Sequence, residues 1–427
     1  MIIHVIEPGE TVDSIAQLYG VSPEWIIREH GIIDPNDLAV GGSLVILYPE
    51  ITHTVVEGDT LESIANMYGV SVISLLQNNF FLSDQEFLQV GDSIVIKYQD
   101  EKKRAITVTG YCYPFIEERV LRKTLPSLTY LIVYSYLINV DGSVRKENDE
   151  LVIEYARAYG VPPIMMVSIN RTGEVLDSDM ASTILNNEEL RNFLINDIIV
   201  TVITKGYAGI GLMPLYIYPT DRALYVEFLE ELINRVQALG LIVFDTIIID
   251  TFELISDIFS TQSYIKFLNA LVDGTIFFPI STGIRLDAPM GVSSYGMATD
   301  MLAYFLEYIP TQELQLGINT VGFIWELPYI QCLSEGNTIS VSSATLLARD
   351  YDIPILYDEV TQSAFFLFQD DNQELLVRFR DARSYAKYME LVDQYNLEGI
   401  GVWNIMSYIH PLWLIVNSQY EIIKVDL

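Results

Sequence analysis

Two stretches near the start of the chain share one pattern of apolar and polar positions. "HVIEPGETVDSIAQLYGVS" (4–22) and "HTVVEGDTLESIANMYGVS" (53–71) align without a gap at an offset of 49 residues. In each, a short apolar strand leads to a turn of Gly, an acidic residue and Thr, and then to a helix with one apolar stripe. A second helix and a closing strand, "VGGSLVILY" or "VGDSIVIKY", complete the repeat. The pattern predicts two βααβ units, over residues 1–49 and 50–98.

After a charged linker at 98–105 the pattern changes to continuous apolar runs that alternate with helical segments. The runs lie at 106–111, 129–136, 163–169, 209–216, 241–249, 274–281, 314–323 and 398–406. Strands that are buried on both faces read as continuous apolar runs, so the pattern predicts a parallel (β/α)8 TIM barrel over residues 104–427. The long segment at about 330–380, between strands seven and eight, predicts an inserted α+β lobe that forms one wall of a cleft. The fold class is therefore α/β.

Composition narrows the choice of partners. The 427 residues include 24 basic and 57 acidic side chains, a formal net charge of −33, which argues against nucleic acid and anionic membranes as partners. The two cysteines and four histidines show no metal-ligand spacing, so we expect no metal and no cofactor. The start, "MIIHVIEPGETV", lacks a basic segment and a continuous apolar segment. The sequence therefore predicts synthesis in the cytoplasm without a signal peptide.

Both repeats resemble the LysM module from end to end. The resemblance implies binding of glycans that contain N-acetylglucosamine, either peptidoglycan or chitin, in a groove between the Gly-acid-Thr turn and the loop before the last strand. The predicted contacts are Gly9, Glu10, Thr11, Asp34 and Asn36 in the first repeat, and Gly58, Asp59, Thr60, Asn79 and Ser83 in the second. The alternative is that these are capping turns with no role in ligand binding. Because residues 1–98 carry 14 acidic and 2 basic side chains, salt should affect binding little.

The order of two LysM-like repeats and a barrel resembles the spore-associated branch of glycoside hydrolase family 18. The barrel segments that carry the resemblance are "TGYCYP", "GYAGI…YIYPTDRALYVEFLEEL" and "FRDARSYAKYMELVDQYNLEGIGVW". That branch contains N-acetylglucosaminidases that act on spore peptidoglycan. In this family a glutamate at the end of the fourth strand protonates the leaving oxygen. An aspartate two residues earlier orients the substrate's acetamido group, which attacks the anomeric carbon.

The acidic motif of this family has no counterpart at the matching positions. When the segments are aligned on Gly206 and on "YIYPTDR", the acid falls on Leu215 and the orienting aspartate on Met213. The remaining motif positions fall on Gly211, Ala208 and, for the tyrosine of the sixth strand, Ser281. The sequence therefore predicts a degenerate, non-catalytic domain. It would serve as a peptidoglycan-binding structural or scaffolding protein of the spore envelope, in the coat, cortex or exosporium.

Two alternatives remain open. The chain could be an active N-acetylglucosaminidase with a relocated acid, for which the sequence offers Asp141, Asp245, Asp250 and Glu253. It could also be a self-assembling coat or lattice protein, with itself or spore-coat proteins as partners. Four aromatic residues near strand ends could stack on a sugar in the barrel cleft or pack in the core. They are Tyr111, Tyr216, Trp325 and Trp403.

Overall fold

The computed structural model describes residues 1–84, 88–168, 178–213, 218–248, 261–279, 295–330 and 333–425. Their strands form two small antiparallel pairs, one barrel sheet and one five-stranded sheet. Over these ranges no helix has both the length and the apolarity that crossing a membrane requires.

The first two units are βααβ repeats, as predicted. In each, two antiparallel strands flank two helices. The first comprises β1 (Ile2–Val5), α1 (Val12–Tyr19), α2 (Pro23–His30) and β2 (Ser43–Ile46), and the second β3 (Pro49–Thr54), α3 (Leu61–Tyr68), α4 (Val72–Asn78) and β4 (Ser93–Tyr98). Thr11 and Thr60 cap α1 and α3 through reciprocal bonds with a serine three residues on. Gly20 and Gly69 end the same helices in the left-handed conformation.

Eight parallel strands close into a barrel, which confirms the predicted fold class. They are β5 (Arg104–Cys112), β6 (Tyr130–Leu137), β7 (Pro163–Ser168), β8 (Gly209–Leu212), β9 (Ile242–Ile248), β10 (Gly274–Phe278), β11 (Leu314–Asn319) and β17 (Gly399–Trp403). Neighbours pair in chain order, and β17 pairs with β5 to close the ring. A short final strand, β18 (Tyr420–Ile422), pairs with the start of β5.

Helices surround the barrel, and short 3-10 turns lie between helices and strands of the described chain. The helices are α5 (Glu118–Thr124), α6 (Glu150–Ala158), α7 (Ser178–Leu185), α8 (Glu188–Lys205), α9 (Arg222–Gln237), α10 (Thr261–Asn269), α11 (Tyr295–Phe305), α13 (Ala382–Gln394) and α14 (His410–Gln419). The 3-10 turns lie at Phe80–Asp84, Leu125–Ser127, Pro219–Asp221 and Thr311–Glu313. Successive strand residues point alternately to the helices and to the lumen. On β9, for example, Val243 and Ile247 pack with the helices, whereas Phe244 and Ile248 pack in the lumen.

The predicted α+β lobe lies between the seventh and eighth barrel strands. Its antiparallel sheet has the order β13-β12-β16-β15-β14, and one helix packs on one face. The elements are β12 (Val321–Leu327), β13 (Asn337–Ser340), α12 (Val341–Asp350), β14 (Leu356–Asp358), β15 (Ser363–Asp370) and β16 (Gln373–Phe379). Phe366, Val377 and Phe379 are fully buried between this sheet and α12, so the lobe has its own core.

Both repeats pack directly against the barrel, and the first repeat also packs against the lobe. Val45, Val95 and Tyr98 belong to the same buried cluster as the barrel strands and helices. The loop between α2 and β2 contacts the lobe, where the Ile355 amide donates to the Val40 carbonyl at 2.8 Å. Gly41 lies so close to Ile355 that a Cβ at position 41 would be 2.0 Å from the Ile355 carbonyl oxygen. Shared core and shared hydrogen bonds therefore join the repeats, barrel and lobe.

A buried carboxyl group lies at the junction of both repeats and the barrel. Glu29, at the end of α2, accepts a hydrogen bond from the Tyr98 hydroxyl at 2.7 Å, and its backbone carbonyl accepts one from His410 Nδ1 at 2.8 Å. Burial raises the pKa of Glu29 to about 7, although the bond from Tyr98 opposes this shift. Ionisation of Glu29 therefore opposes the packing of the repeats on the barrel.

We predict that Glu29→Gln removes a pH-dependent loss of stability. Because the pKa of Glu29 is higher in the folded chain than in the unfolded chain, the free energy of unfolding falls as pH rises from about 4.5 to about 7. The glutamine variant cannot ionise, so it should be more stable than the parent by roughly 2–3 kcal/mol at pH 8 and similar to it at pH 4.5. Urea unfolding at the two pH values measures this, and an equal difference at both would contradict it.

Candidate functional site

Aromatic side chains line the end of the barrel where the strands finish. The Trp403 ring, at the end of β17, lies 4.8 Å between centroids from Tyr134 and 6.2 Å from Tyr113. Tyr113 stacks at 5.3 Å on Phe115, which is 77% exposed. We call Tyr113, Phe115, Tyr134 and Trp403 the aromatic mouth. It forms an aromatic surface that extends from the lumen to solvent. It lies at the carboxyl end of the strands, which is the end where the active sites of TIM barrels occur.

The described motif positions of the fourth strand face the lumen. Met213 packs with the lumen cluster, and a Cβ at Gly211 would lie 3.2 Å from Met166 Cε. Ala208 packs against the same cluster. These positions therefore have the orientation that the family alignment requires, but their side chains are apolar. Leu215, Tyr216 and Ser281 lie outside the described residues.

Two of the four candidate acids are poorly placed for chemistry at the aromatic mouth. Asp245 follows Phe244 on β9 and precedes Thr246, whose hydroxyl contacts the Tyr111 hydroxyl at 2.9 Å in the lumen. Strand alternation therefore directs Asp245 towards the helices, where burial raises its pKa to about 7. Asp141 lies in an exposed turn and accepts hydrogen bonds from Ser143, which lower the pKa of its carboxyl group. Such a group is ionised at neutral pH and cannot donate a proton.

The other two candidates follow the fifth barrel strand in the sequence. The described part of β9 ends at Ile248, and Asp250 and Glu253 follow it in the sequence, outside the described residues. A further buried acid, Glu398, immediately precedes β17, and its Oε2 lies 3.3 Å from Gln315 Nε2. Burial raises the pKa of Glu398. Since β17 begins at Gly399, Glu398 is at the opposite end of the barrel from the aromatic mouth.

Two of the four predicted cleft aromatics are core residues, which corrects the prediction for them. Tyr111 is fully buried in the lumen. Trp325 is 1% exposed and lies on β12 of the lobe, packed against Phe323 and Tyr329. Neither ring face can stack on a sugar in this structure. Tyr113, Phe115 and Tyr134 were missed. The sequence offered the runs "TGYCYPF" and "TYLIVYSY" as signals, but neither run shows which aromatic rings remain exposed.

Each Gly-acid-Thr turn is held by a histidine and a tyrosine of its own repeat. In the first, His4 lies 2.8 Å from Glu10 Oε2 through Nε2 and 3.1 Å from the Tyr19 hydroxyl through Nδ1. The second repeats this geometry, with His53 Nε2 at 2.9 Å from Asp59 Oδ2 and Nδ1 at 3.1 Å from the Tyr68 hydroxyl. Backbone amides donate to both carboxylates as well. The acidic residues thus shape the turns, and hydrogen bonding lowers the pKa of Asp59.

In the first repeat, the two predicted sides of the groove meet. The Val12 amide donates to the Pro35 carbonyl at 2.8 Å, so the turn at residues 9–11 lies beside the loop at 34–36. Asp34 Oδ1 accepts from the Asn36 amide at 2.9 Å within that loop. Gly9 and Gly58 have φ of +84° and +92°, the left-handed region that these turns require. Thr11 and Thr60 are the helix caps described above.

In the second repeat, two predicted contacts are buried, and this is a correction. Asn79 is 1% exposed, and its amide group bonds to the backbone of Leu75 and Val95, with both bonds to Val95 at 2.7–2.8 Å. Ser83 is 2% exposed. Their side chains cannot contact a glycan directly in this structure. Asn79 instead holds α4 against β4.

The structure shows that His30 is the counterpart of Asn79 in the first repeat. Its Nε2 lies 2.9 Å from the Val45 carbonyl oxygen and 3.1 Å from the Val45 amide nitrogen. The offset of 49 residues aligns His30 with Asn79 in the sequence. Because the two side chains differ, the sequence did not reveal that they make equivalent backbone contacts. Within the described ranges, no group of three His, Cys, Asp or Glu side chains is placed to hold a metal ion.

Comparison with known proteins identifies the repeats. The LysM domain family matches residues 4–46 and 53–97. Residues 4–97 thus hold two LysM domains. The whole chain is also similar to proteins of about the same length. It is 28% identical over 430 residues to the cortical fragment-lytic enzyme of Bacillus anthracis, which covers 99% of each chain.

Solved structures extend this likeness to three dimensions. The crystal structure of the Bacillus cereus spore cortex-lytic enzyme SleL is 27% identical, with a TM-score of 0.79 and 99% of each chain covered. A chitinase from Chromobacterium violaceum covers 74% of this chain and 98% of its own, with a TM-score of 0.63. At 19% identity, that match shows the barrel fold alone.

These comparisons overturn the prediction of a non-catalytic domain. The relatives that match the chain over 99% of its length are named as lytic enzymes. Apolar side chains at the described fourth-strand positions were therefore the wrong basis for excluding catalysis.

We predict that sugar binding at the aromatic mouth is reported by Trp403. The chain has four tryptophans, of which Trp325 and Trp413 are 1% exposed and should be silent. An N-acetylglucosamine tetramer should change the fluorescence of the parent, and Trp403→Phe should remove most of that change because the reporting indole is lost. Trp25→Phe, in the first LysM domain, is the matched control. An unchanged signal in Trp403→Phe together with a lost signal in Trp25→Phe would place the binding elsewhere.

Proposed function

We propose that the chain is a peptidoglycan N-acetylglucosaminidase of the bacterial spore, with its general acid outside the usual fourth-strand position. The observation that carries this proposal is end-to-end similarity to cortical fragment-lytic enzymes, with 99% of both chains covered. Such coverage includes the LysM pair, the barrel and the lobe together. The open aromatic mouth at the catalytic end of the barrel supports the same function, because an aromatic face suits the apolar face of a sugar ring.

The LysM domains would hold the substrate. They pack on the barrel through a shared core, so a glycan bound to them would be held at a fixed position relative to the barrel without a flexible linker. The chain's charge of −33 gives no attraction to an anionic wall polymer. Binding therefore rests on hydrogen bonds and apolar contacts at the grooves. The relatives named for the spore cortex support a location on the spore.

The acid would come from the segment that follows the fifth barrel strand. Of the four candidates, Asp245 is directed towards the helices and Asp141 is in an exposed turn that keeps it ionised. Asp250 and Glu253 remain. In the sequence both follow β9, which ends at Ile248, and the active sites of TIM barrels are built from the segments that follow the strands. Glu253 has the longer side chain, and we assign it as the first candidate.

The proposed reaction follows the substrate-assisted route. The acid donates its proton to the glycosidic oxygen as the bond between that oxygen and the anomeric carbon breaks. The carbonyl oxygen of the substrate's own acetamido group bonds to the anomeric carbon, and water then opens this ring as the carboxylate takes back a proton. Trp403 and Tyr134 would form the surface under the sugar.

We predict that the pure chain releases sugar fragments from spore-cortex peptidoglycan and that Glu253→Gln lowers the rate by about 10²–10⁴-fold. Glutamine keeps the shape of glutamate but cannot donate the proton. Asp141→Asn should leave the rate unchanged, because that carboxylate lies in an exposed turn. Mass spectrometry of soluble products over time measures all three proteins, and Asp250→Asn tests the second candidate.

One outcome would refute the proposal directly. If the parent released nothing while the double variant Met213→Asp, Leu215→Glu released fragments, catalysis would depend on the fourth-strand carboxylates and the relocated acid would not exist. If every single variant kept the parent's rate, the acid would lie outside the candidates named here.

We predict that binding to insoluble peptidoglycan depends little on salt. Raising NaCl from about 0.05 M to about 0.5 M should change the pelleted fraction by less than about twofold, because contacts between uncharged groups are not screened. Sedimentation with spore-cortex peptidoglycan measures this. A large loss of binding at high salt would mean that charge contacts dominate.

A further inference from the structure

A cavity of about 410 Å³ lies between the first LysM domain, the lobe and the segment that begins α14. Its wall is mainly apolar, with Ile32 and Leu38 from the LysM loop, Ile355 and Phe379 from the lobe, and Ile409 from the barrel. Its volume is in the range of small-molecule sites, which often occur between domains. Asp34 belongs both to this wall and to the predicted LysM groove, so the cavity continues from that groove.

Two imidazole rings, one from each side of the interface, lie on the inner wall. His410 Nδ1 is 2.8 Å from the Glu29 carbonyl oxygen. Because a carbonyl can only accept, Nδ1 carries the proton and Nε2 of the neutral ring is an acceptor. Nε2 is close to Gly31, where a Cβ would lie 2.9 Å away, and it has no hydrogen-bond partner in the described chain. Burial lowers the pKa of His410 to about 4, so the ring is neutral.

His30 lies beside His410 on the cavity wall. In the tautomer in which Nε2 donates to the Val45 carbonyl oxygen, at 2.9 Å, Nδ1 is an acceptor without a hydrogen-bond partner among the described residues. Burial lowers the pKa of His30 to about 4 as well. In the second LysM domain the side chain of Asn79 makes the equivalent hydrogen bonds to the backbone, and it has no second ring nitrogen. His30 therefore adds a polar ring nitrogen to the cavity wall, and this nitrogen is not required for the backbone contact that the two repeats share.

The charged residues that line the cavity are mainly acidic, with Asp34, Asp37 and Asp381 against Arg349. Arg349 Nε is 3.8 Å from Asp37, and Arg383, outside the wall, bonds to Asp381. An anionic ligand would meet these carboxylates, and a cation would lose its hydration against an apolar wall. The cavity therefore suits an uncharged group that combines a hydrogen-bond donor with an apolar part.

We propose that this cavity binds one N-acetylated sugar residue of the glycan that the first LysM domain holds, and so extends its groove into the lobe. The acetamido N–H or a ring hydroxyl would donate to an imidazole nitrogen of His30 or His410, and the acetamido methyl group would lie on the apolar wall. The proposal rests on glycan binding by the LysM domain. It adds that the lobe and α14 contribute to that binding.

The four histidines of the chain provide a direct test. His30 and His410 line the cavity, whereas His4 and His53 hold the two Gly-acid-Thr turns. Histidine labelled with ¹³C at Cε1 should give four signals from the full chain. Addition of the N-acetylglucosamine tetramer should shift the signals of His30 and His410. Shifts confined to His4 and His53 would overturn the proposal and leave groove binding intact.

His30→Asn is a matched variant, because Asn79 performs the same backbone task in the second repeat. It assigns the His30 signal. It should also weaken tetramer binding at the cavity, seen as a smaller shift of His410 at a given concentration. An undiminished His410 shift would show that the His30 nitrogen makes no contact, and would overturn its role in the cavity.

A cavity-filling variant gives an independent measurement. Thr345 lies on the cavity wall in α12, and Ser343 is exposed on the same helix outside it. Thr345→Trp should weaken tetramer binding by about tenfold or more in calorimetry, and Ser343→Trp should not. Equal affinities for the two would overturn the proposal, provided that circular dichroism shows both folded. Release of sugar fragments by the same preparations reports the barrel separately, so failure of the cavity and failure of the proposed enzyme are distinguishable.

Discussion

The arrangement of this molecule depends on the two-residue alternation of its barrel strands. Each strand is buried on both faces, so every residue belongs either to the lumen or to the layer under the helices. The same rule places Met213, directly after β8, in the lumen and Asp245, in the middle of β9, outside it. Closure of the ring by β17 and β5 then brings the strand ends together around Trp403. Which side chains can take part in chemistry is decided first by this alternation.

The sequence predicted the fold well because the relevant signals are local. Repeated capping residues such as Thr11 and Thr60 mark helix starts, and long apolar runs mark strands that are buried on both faces. The candidate site was predicted less well, because exposure depends on contacts between distant segments. Trp325 is aromatic and Asn79 is polar, so each was a plausible ligand contact. In the structure, however, Trp325 packs with Phe323 and Asn79 bonds to Val95. Residue type alone could not distinguish these roles from ligand binding.

The two LysM domains show how far a repeat can change while its geometry is kept. His53, Asp59 and Tyr68 repeat the geometry of His4, Glu10 and Tyr19 within about 0.1 Å in the paired distances. His30 and Asn79 differ in chemistry but hold equivalent strands. The first domain packs on the lobe at its α2–β2 loop, so its surroundings differ from those of the second. The repeats are therefore similar in shape and need not be equal in ligand affinity.

The bond between Ile355 and Val40, with the close approach of Gly41, fixes the direction of the first LysM domain relative to the barrel. If this domain and the aromatic mouth both bind one glycan strand, as proposed above, the distance between the two sites is fixed by this junction. Strands shorter than that distance would occupy one site at a time, and longer strands would occupy both at a high effective concentration. Hydrolysis would then depend on the length of the strand.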